Sequence, residues 1–114
     1  MAHKTSIGRW NVEAVTGYKP KTTFWDDFSI ADIFGADAVR DTFNRAFSEW
    51  KNDTEYLTEL VLVLNHKIWQ HYEHNEPLAR VYDELWKKAD LFAVENLTGD
   101  DLTYFYNITE SVMS

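Results

Sequence analysis

Apolar residues recur three or four positions apart from residue 23 to near the end of the chain, which is the period of an amphipathic helix. The pattern predicts five helices, whose apolar stripes begin at Phe24, Val39, Leu57, Leu78 and Leu102. Residues that favour helix N-caps come before these stripes. They are Thr23, Asp37, Asp53 or Thr54, and Thr98, while Asn75 and Pro77 mark a break and a restart before the fourth stripe. We therefore expect an all-α fold, a compact bundle of about five helices.

The third predicted helix is the longest, because its apolar stripe continues from Leu57 to Tyr72. Leu62 and Val63 lie off that stripe, so more than one side of the helix should be covered, by neighbouring helices or by a second subunit. A strand from Glu59 to Asn65 is the alternative, since the short apolar run from Leu60 to Leu64 suits either structure. The helical period on both flanks favours the helix.

Residues 1–22 differ from the rest of the chain in charge and in pattern. Four lysines and arginines against Glu13 give this segment a balance of +3, which leaves −11 on the remaining residues. Trp10, Val12 and Ala14 alternate with polar residues, as in a short half-buried strand. We expect residues 1–22 to form a basic, non-helical arm or a short strand, and residues 23–114 to form a helical domain.

Composition narrows the functional classes. The 114 residues suffice for one domain, and a net charge of −8 argues against direct nucleic-acid binding, which relies on lysine and arginine. The absence of cysteine excludes disulfides, thiolate metal sites and a cysteine nucleophile. No secretion-signal core follows Met1, and the longest apolar run is far shorter than a membrane span. We expect a cytoplasmic protein without a membrane segment.

Residues 29–40 resemble the first half of a helix-turn-helix motif. Ala31 and Gly35 stand four apart, and Ile30 and Phe34 are the predicted inward-facing pair. The second half departs from the motif, since Asp41 stands where an apolar residue normally joins the two helices. A DNA-binding regulator is therefore the alternative function. Its phosphate contacts would come from the arm, through Lys4, Arg9, Lys19 and Lys21.

Histidines and paired carboxylates raise the question of a metal site or an active site. His66, His71 and His74 lie on one predicted helix but point in three directions, with His66 expected on the solvated face and His71 partly buried. Glu55 and Glu59 stand one turn apart, as Mg²⁺ ligands can, but such pairs are common on solvated helices. We expect no enzyme, no cofactor and no metal, and a metal-dependent enzyme stays the third hypothesis.

Aromatic residues are unusually frequent, at 16% of the chain with five tryptophans. A domain of this size has a limited interior, so some tryptophans should reach the surface, where they anchor protein interfaces. This composition favours a protein-binding function, with a homodimer as one form of it.

Four segments carry a resemblance to a known family. They are Thr23-Phe-Trp-Asp-Asp-Phe-Ser-Ile-Ala-Asp, Asp41-Thr-Phe-Asn-Arg-Ala-Phe, Tyr56-Leu-Thr-Glu-Leu-Val-Leu-Val-Leu-Asn-His-Lys-Ile-Trp and Leu97-Thr-Gly-Asp-Asp-Leu. Over about residues 18–110 the chain resembles short all-helical proteins carried by mobile elements of Gram-positive bacteria, a family without an assigned activity. The resemblance implies no functional residue. It implies a context in which small acidic proteins often inhibit host defence, some of them by imitating DNA.

Carboxylates four residues apart on a helix are separated by about 6 Å, comparable with every second phosphate of one DNA strand. We therefore predict a DNA-mimic inhibitor, of anti-CRISPR or anti-restriction type, that binds a basic nucleic-acid-binding protein. The candidate interaction residues are Asp26, Asp27, Asp32, Asp37, Asp41, Asp100 and Asp101, with Trp25 and Trp69 as anchors. An acidic surface that only keeps the protein soluble is the competing interpretation.

Overall fold

Six helices joined by short turns make up residues 12–111, the part of the chain that the computed structural model describes. They are α1 (Val12–Thr16), α2 (Phe24–Phe34), α3 (Ala36–Trp50), α4 (Thr54–His71), α5 (Glu76–Asn96) and α6 (Gly99–Thr109). Helices α2 to α6 are the five predicted ones, which confirms the all-α prediction. None of the helices within residues 12–111 is long and apolar enough to cross a membrane.

Helix α4 lies at the centre of the bundle, since nearly every residue from Leu57 to Ile68 is buried. It packs along α5 and also contacts α2, α3 and α6. The prediction that α4 is covered on more than one side is confirmed, and helices of the same chain provide the cover. The alternative of a strand from Glu59 to Asn65 is wrong, because these residues lie inside the helix.

Three predicted N-caps, Thr23, Asp53 and Thr98, lie at N-cap positions, and Asn75, at the predicted break, is the N-cap of α5. The side chains of Asp53 and Asn75 each accept a hydrogen bond from the backbone N–H three residues later, at 3.0 and 3.3 Å. These bonds satisfy backbone donors that the first turn of a helix leaves without a partner. Thr23 and Thr98 occupy N-cap positions, but their side chains make no capping bond.

Gly35 alone connects α2 to α3. Its φ of +104° lies in the region that residues with a Cβ rarely adopt, which explains a glycine at this sharp turn. Its N–H donates to the Ala31 carbonyl and its own carbonyl accepts from the Val39 N–H, each at 3.1 Å. The prediction of Asp37 as a cap is wrong, because α3 begins at Ala36 and Asp37 lies inside its first turn.

The segment before α2 is partly built into the fold. Residues Val12–Thr16 form a helix, so the strand predicted around Val12 and Ala14 is wrong. Helix α1 packs on α6, and Tyr18 and Thr22 are buried. Between residues 12 and 22 the predicted non-helical arm is therefore partly helical, and it packs against the rest of the domain. Its remaining predicted features, Lys4, Arg9 and Trp10, lie outside the described residues.

Asn65 is an exception in the core around α4. Its side chain is 1% exposed, and neither its amide nitrogen nor its oxygen has a hydrogen-bond partner among residues 12–111. Burying a polar group without a partner costs about 1–3 kcal/mol. Asn65 therefore lowers the stability of the fold relative to an apolar residue at the same position.

Asn65→Leu is expected to raise the free energy of unfolding by about 1–2 kcal/mol, because leucine has a similar volume and no polar atom to satisfy. Asn44→Leu on the exposed side of α3 is the matched control, since it gains the same helix propensity without removing a buried amide. Urea unfolding followed by tryptophan fluorescence measures both variants. Equal stabilities of the two would contradict the prediction.

Candidate functional site

Six of the seven predicted interaction aspartates are exposed. They are Asp26 and Asp27 on α2, Asp37 and Asp41 on α3, and Asp100 and Asp101 on α6. Helices α2 and α6 contain no lysine or arginine, so these two helices contribute only negative charge to the surface. Because α2 packs against α3, the first four carboxylates lie on one pair of adjacent helices.

An open groove of about 570 Å³ runs between α2 and α3. Small buried or half-buried residues lie at its base: Ala31, Ala38, Thr42 and Ala46. Exposed residues form its rim: Asp27, Ile30, Phe34, Asp41, Arg45 and Glu49. The rim therefore combines apolar side chains from α2 with three carboxylates and one guanidinium.

Helix α2 ends in exposed apolar side chains. Ile30, Ile33 and Phe34 are 57%, 79% and 76% exposed. The prediction that Ile30 and Phe34 form an inward-facing pair is wrong. Helix α2 turns another side toward the core, the side that carries Phe28 and Asp32.

Asp32 differs from the other candidate aspartates because its side chain is only 13% exposed. Its carboxylate lies 2.8 Å from Lys67 Nζ and 3.0 Å from His71 Nε2, and it accepts a hydrogen bond from the Tyr82 hydroxyl. Lys67 Nζ also donates to Ser29 Oγ at 3.1 Å. We call these five residues the Asp32 cluster. It joins α2, α4 and α5, and its internal pairing removes Asp32 from the exposed acidic surface.

The aromatic member of the Asp32 cluster is a donor held in place by its neighbours. The Tyr82 ring stacks on His71 with centroids 5.7 Å apart. Burial and the hydrogen bond to Asp32 raise the pKa of Tyr82 well above its ordinary value. The hydroxyl therefore keeps its proton and donates a hydrogen bond to the carboxylate across the whole physiological pH range.

Glu59 is fully buried, and no cation among residues 12–111 forms an ion pair with its carboxylate. One oxygen accepts from the Tyr18 hydroxyl at 2.7 Å and the Lys21 backbone N–H at 2.9 Å. The other accepts from the Thr22 N–H at 3.2 Å, the Thr22 hydroxyl, and Trp25 Nε1 at 2.9 Å. We call this group the Glu59 cluster. It fixes the segment before α2 onto α4.

The two predicted tryptophan anchors have different places in the structure. Trp25 is 6% exposed and belongs to the Glu59 cluster, so it is not a surface anchor. Trp69 is half-buried, with its ring centroid 5.7 Å from that of the exposed Tyr72. Both rings line a cleft of about 580 Å³ between α4 and α5. Trp69 therefore lies near the surface, but in the cleft between α4 and α5 and not beside the exposed aspartates of α2, α3 and α6.

The histidines do not come together. His66 is half-buried with its ring centroid 5.7 Å from that of Trp25, so its predicted place on the solvated face is wrong. His71 is partly buried, as predicted, and His74 is exposed. Within residues 12–111 no group of three or more His, Cys, Asp or Glu side chains is arranged to hold a metal ion.

His66 is expected to make the fold less stable at acidic pH. Burial, together with the charges of Lys67 and His71, lowers the pKa of His66 to about 4. Its pKa in the unfolded chain is about 6.5, so between these values the unfolded state binds more protons and stability falls as the pH falls. At pH 5 this effect reaches about 2 kcal/mol.

Urea unfolding at pH 7 and pH 5 tests this effect against the variant His66→Gln. The unmodified protein should lose about 2 kcal/mol more than the variant between the two pH values, because glutamine does not titrate. The other titrating groups are common to both proteins and cancel in the comparison. An equal loss in the two proteins would contradict the assignment to His66.

The α2–α3 pair has the connectivity of a helix-turn-helix but an acidic surface. Asp37 and Asp41 are exposed on α3, where a recognition helix presents donors to bases and phosphates. Arg40 lies between them in sequence and its Nε is 3.6 Å from a Glu84 carboxylate oxygen. This surface is unfavourable for phosphate, and the helix-turn-helix regulator stays a hypothesis.

The burial of two charges on α4 differs from what the sequence predicts. Glu59 is predicted as a member of a solvated carboxylate pair or as a Mg²⁺ ligand, and no role is predicted for Lys67. One signal was available: apolar residues occur on nearly every side of α4, which leaves no solvated side for either charge. Charges in such a helix must have buried partners.

Comparison with protein-family models gives no match for this chain, and neither curated proteins nor solved structures yield a significant match.

Proposed function

We propose that this protein is a non-enzymatic inhibitor that binds a basic nucleic-acid-binding protein and covers its DNA-binding surface. The proposal rests on the exposure of Asp26, Asp27, Asp37 and Asp41 on two adjacent helices. Asp37 and Asp41 stand one helical turn apart, about 6 Å along the axis, which is close to the separation of alternate phosphates. The context implied by the resemblance to mobile-element proteins, inhibition of a host-defence nuclease, agrees with this surface.

Charge distribution supports the same proposal. Lys67 is buried against Asp32, while Arg80 and Lys87 form pairs with carboxylates one turn earlier on α5. These cations lie on α4 and α5, whereas α2 has none. The resulting negative potential over α2 attracts a basic partner and speeds association.

A capture experiment tests the proposal. The immobilised protein is incubated with extract of its native host at low salt, and a captured nucleic-acid-binding protein is then challenged with duplex DNA and with high salt. DNA should displace it, and salt should release it, because the contact is between charges on exposed surfaces. A variant with Asn at positions 26, 27, 37 and 41 should capture it at least about tenfold less well.

The matched control neutralises four exposed carboxylates on other elements, Glu13, Glu73, Glu95 and Glu110, by changing each to glutamine. Its net charge equals that of the four-asparagine variant, so the comparison separates the α2–α3 surface from overall acidity. Equal capture by the two variants, or a partner that DNA does not displace, would refute the DNA-mimic function. Recovery of DNA alone would favour the helix-turn-helix regulator.

A further inference from the structure

The end of α2 exposes three large apolar side chains next to one another. Ile30, Ile33 and Phe34 are all more than half exposed, and they follow one another on the same side of the helix. Ile30 and Phe34 also border the α2–α3 groove. A contiguous apolar patch with a polar rim is typical of a surface that binds another protein.

The shape of the groove suits a helix. Its base carries the small side chains of Ala31, Ala38, Thr42 and Ala46, which allow a close approach of another backbone. Helix α2 has 11 residues, so the groove is about 16 Å long, or three helical turns. A partner helix of that length presents apolar residues at positions i, i+3 or i+4, and i+7 to such a groove.

The charges around the groove indicate which side chains should lie beside the apolar stripe of a bound helix. Asp27 borders the groove from α2, and Asp41 and Glu49 border it from α3. Arg45 is the one cation among the described residues that line the groove, so carboxylates predominate at its edges. Asp26 and Asp27 lie one turn before Ile30 on the same exposed side of α2. A helix bound here would meet apolar contacts in the groove and carboxylates along its edges.

We propose that the α2–α3 groove binds one amphipathic helix of the partner protein, with an apolar stripe that contacts Ile30 and Phe34 and with lysine or arginine beside that stripe. This inference rests on the proposed protein-binding function and specifies the recognised element. A second copy of this chain is a poor occupant, because its net charge of −8 would oppose the acidic rim. Nucleic acid meets the same repulsion.

The groove can be tested with defined probes and the whole 114-residue chain. The first probe is an amphipathic helical peptide of lysine and leucine, and the second is a lysine–alanine helix of equal length and charge. Binding is measured by calorimetry, and the contact is mapped by amide chemical shifts in the ¹⁵N-labelled protein. The lysine–leucine peptide is expected to bind at least about tenfold more tightly than the lysine–alanine peptide and to shift the amides of Ile30, Phe34 and Ala38.

Matched variants locate the contact. Ile30→Ser with Phe34→Ser should weaken binding of the lysine–leucine peptide about tenfold or more, because both side chains are exposed contacts and not part of the core. Leu91→Ser with Val94→Ser removes two exposed apolar side chains from α5 and should leave the affinity unchanged. Asp27→Asn with Asp41→Asn should reduce the salt dependence of binding.

Each contrary result has a definite meaning. Equal binding of the two peptides, or equal affinities of the two serine variants, would overturn the groove as a helix site. Self-association of the unmodified protein that Ile30→Ser with Phe34→Ser abolishes would assign the groove to a second copy and also overturn the inference.

If DNA displaces the captured partner while the peptide results fail, the inhibitor function stands without the groove. If the peptide results hold and DNA does not compete, the groove stands without DNA mimicry.

Discussion

Glu59→Gln is expected to lower the free energy of unfolding by about 2–3 kcal/mol, although it replaces only one non-hydrogen atom of the side chain. Both carboxylate oxygens of Glu59 accept hydrogen bonds, one from two donors and the other from three. A glutamine amide has one accepting oxygen and one NH₂ group that only donates. Whichever way the amide is oriented, its NH₂ group must face donors.

Rotation of the neighbouring groups does not relieve this conflict. The Tyr18 and Thr22 hydroxyls can turn their protons away, but the N–H groups of Lys21, Thr22 and Trp25 are fixed by the backbone and by the indole ring. At least one of these fixed N–H groups would oppose the new NH₂ group, because each carboxylate oxygen accepts from one or more of them. A buried donor without a partner carries the full cost of desolvation.

Glu55→Gln is the matched control, one turn earlier on the same helix. Glu55 is paired with Lys21 on the surface, and its side chain is 49% exposed, so the same substitution should cost less than about 1 kcal/mol. Urea unfolding of both variants at pH 7 measures the difference. Similar losses for Glu55→Gln and Glu59→Gln would show that the Glu59 cluster contributes no more than an exposed ion pair.

Helix positions were predictable because local chemistry determines them. The caps at Asp53 and Asn75 and the glycine turn at Gly35 each act on their own backbone within a few residues. A five-residue helix such as Val12–Thr16 is too short for a period to appear, and it is stabilised by packing against α6. Alternating apolar residues in so short a segment therefore predicted a strand.

The orientation of α2 was not predictable from its own residues. Its sequence has apolar side chains on several sides, so Ile30 and Phe34 looked as suitable for burial as Phe28 did. Polar partners on other helices determine the orientation of α2, since Asp32 must face Lys67. Once Asp32 is turned inward, the helical period places Ile30 and Phe34 outward.

The same dependence explains the candidate surface. Exposed aspartates such as Asp41 were predicted from local sequence, because a solvated helical stripe needs no distant partner. Trp25 and Asp32 were assigned to the surface wrongly, because their partners Glu59 and Lys67 come 34 and 35 residues later. Buried polar pairs between distant residues leave no periodic signal.

Asp32→Asn is expected to lower the free energy of unfolding by about 3–5 kcal/mol, since it leaves the ammonium of Lys67 buried without a counter-ion. Lys67 is 2% exposed, and Ser29 Oγ would be its only other hydrogen-bond partner within residues 12–111. Adding Lys67→Met to Asp32→Asn should recover about 1–3 kcal/mol, because the second change removes the buried charge. If the loss in Asp32→Asn came only from poorer packing, adding Lys67→Met would not raise the free energy of unfolding.

A double-mutant cycle separates this coupling from general damage to the core. Glu76 and Arg80 form a matched pair on the surface of α5, with side chains 65% and 78% exposed, and their coupling should lie within about 0.5 kcal/mol of zero. Losses from Asp32→Asn and Lys67→Met that simply add would contradict the buried ion pair. The expected recovery would instead show that Asp32 and Lys67 act as one buried ion pair, which holds α2 with Asp32 turned inward. That orientation is what places Ile30 and Phe34 beside the acidic rim of the groove.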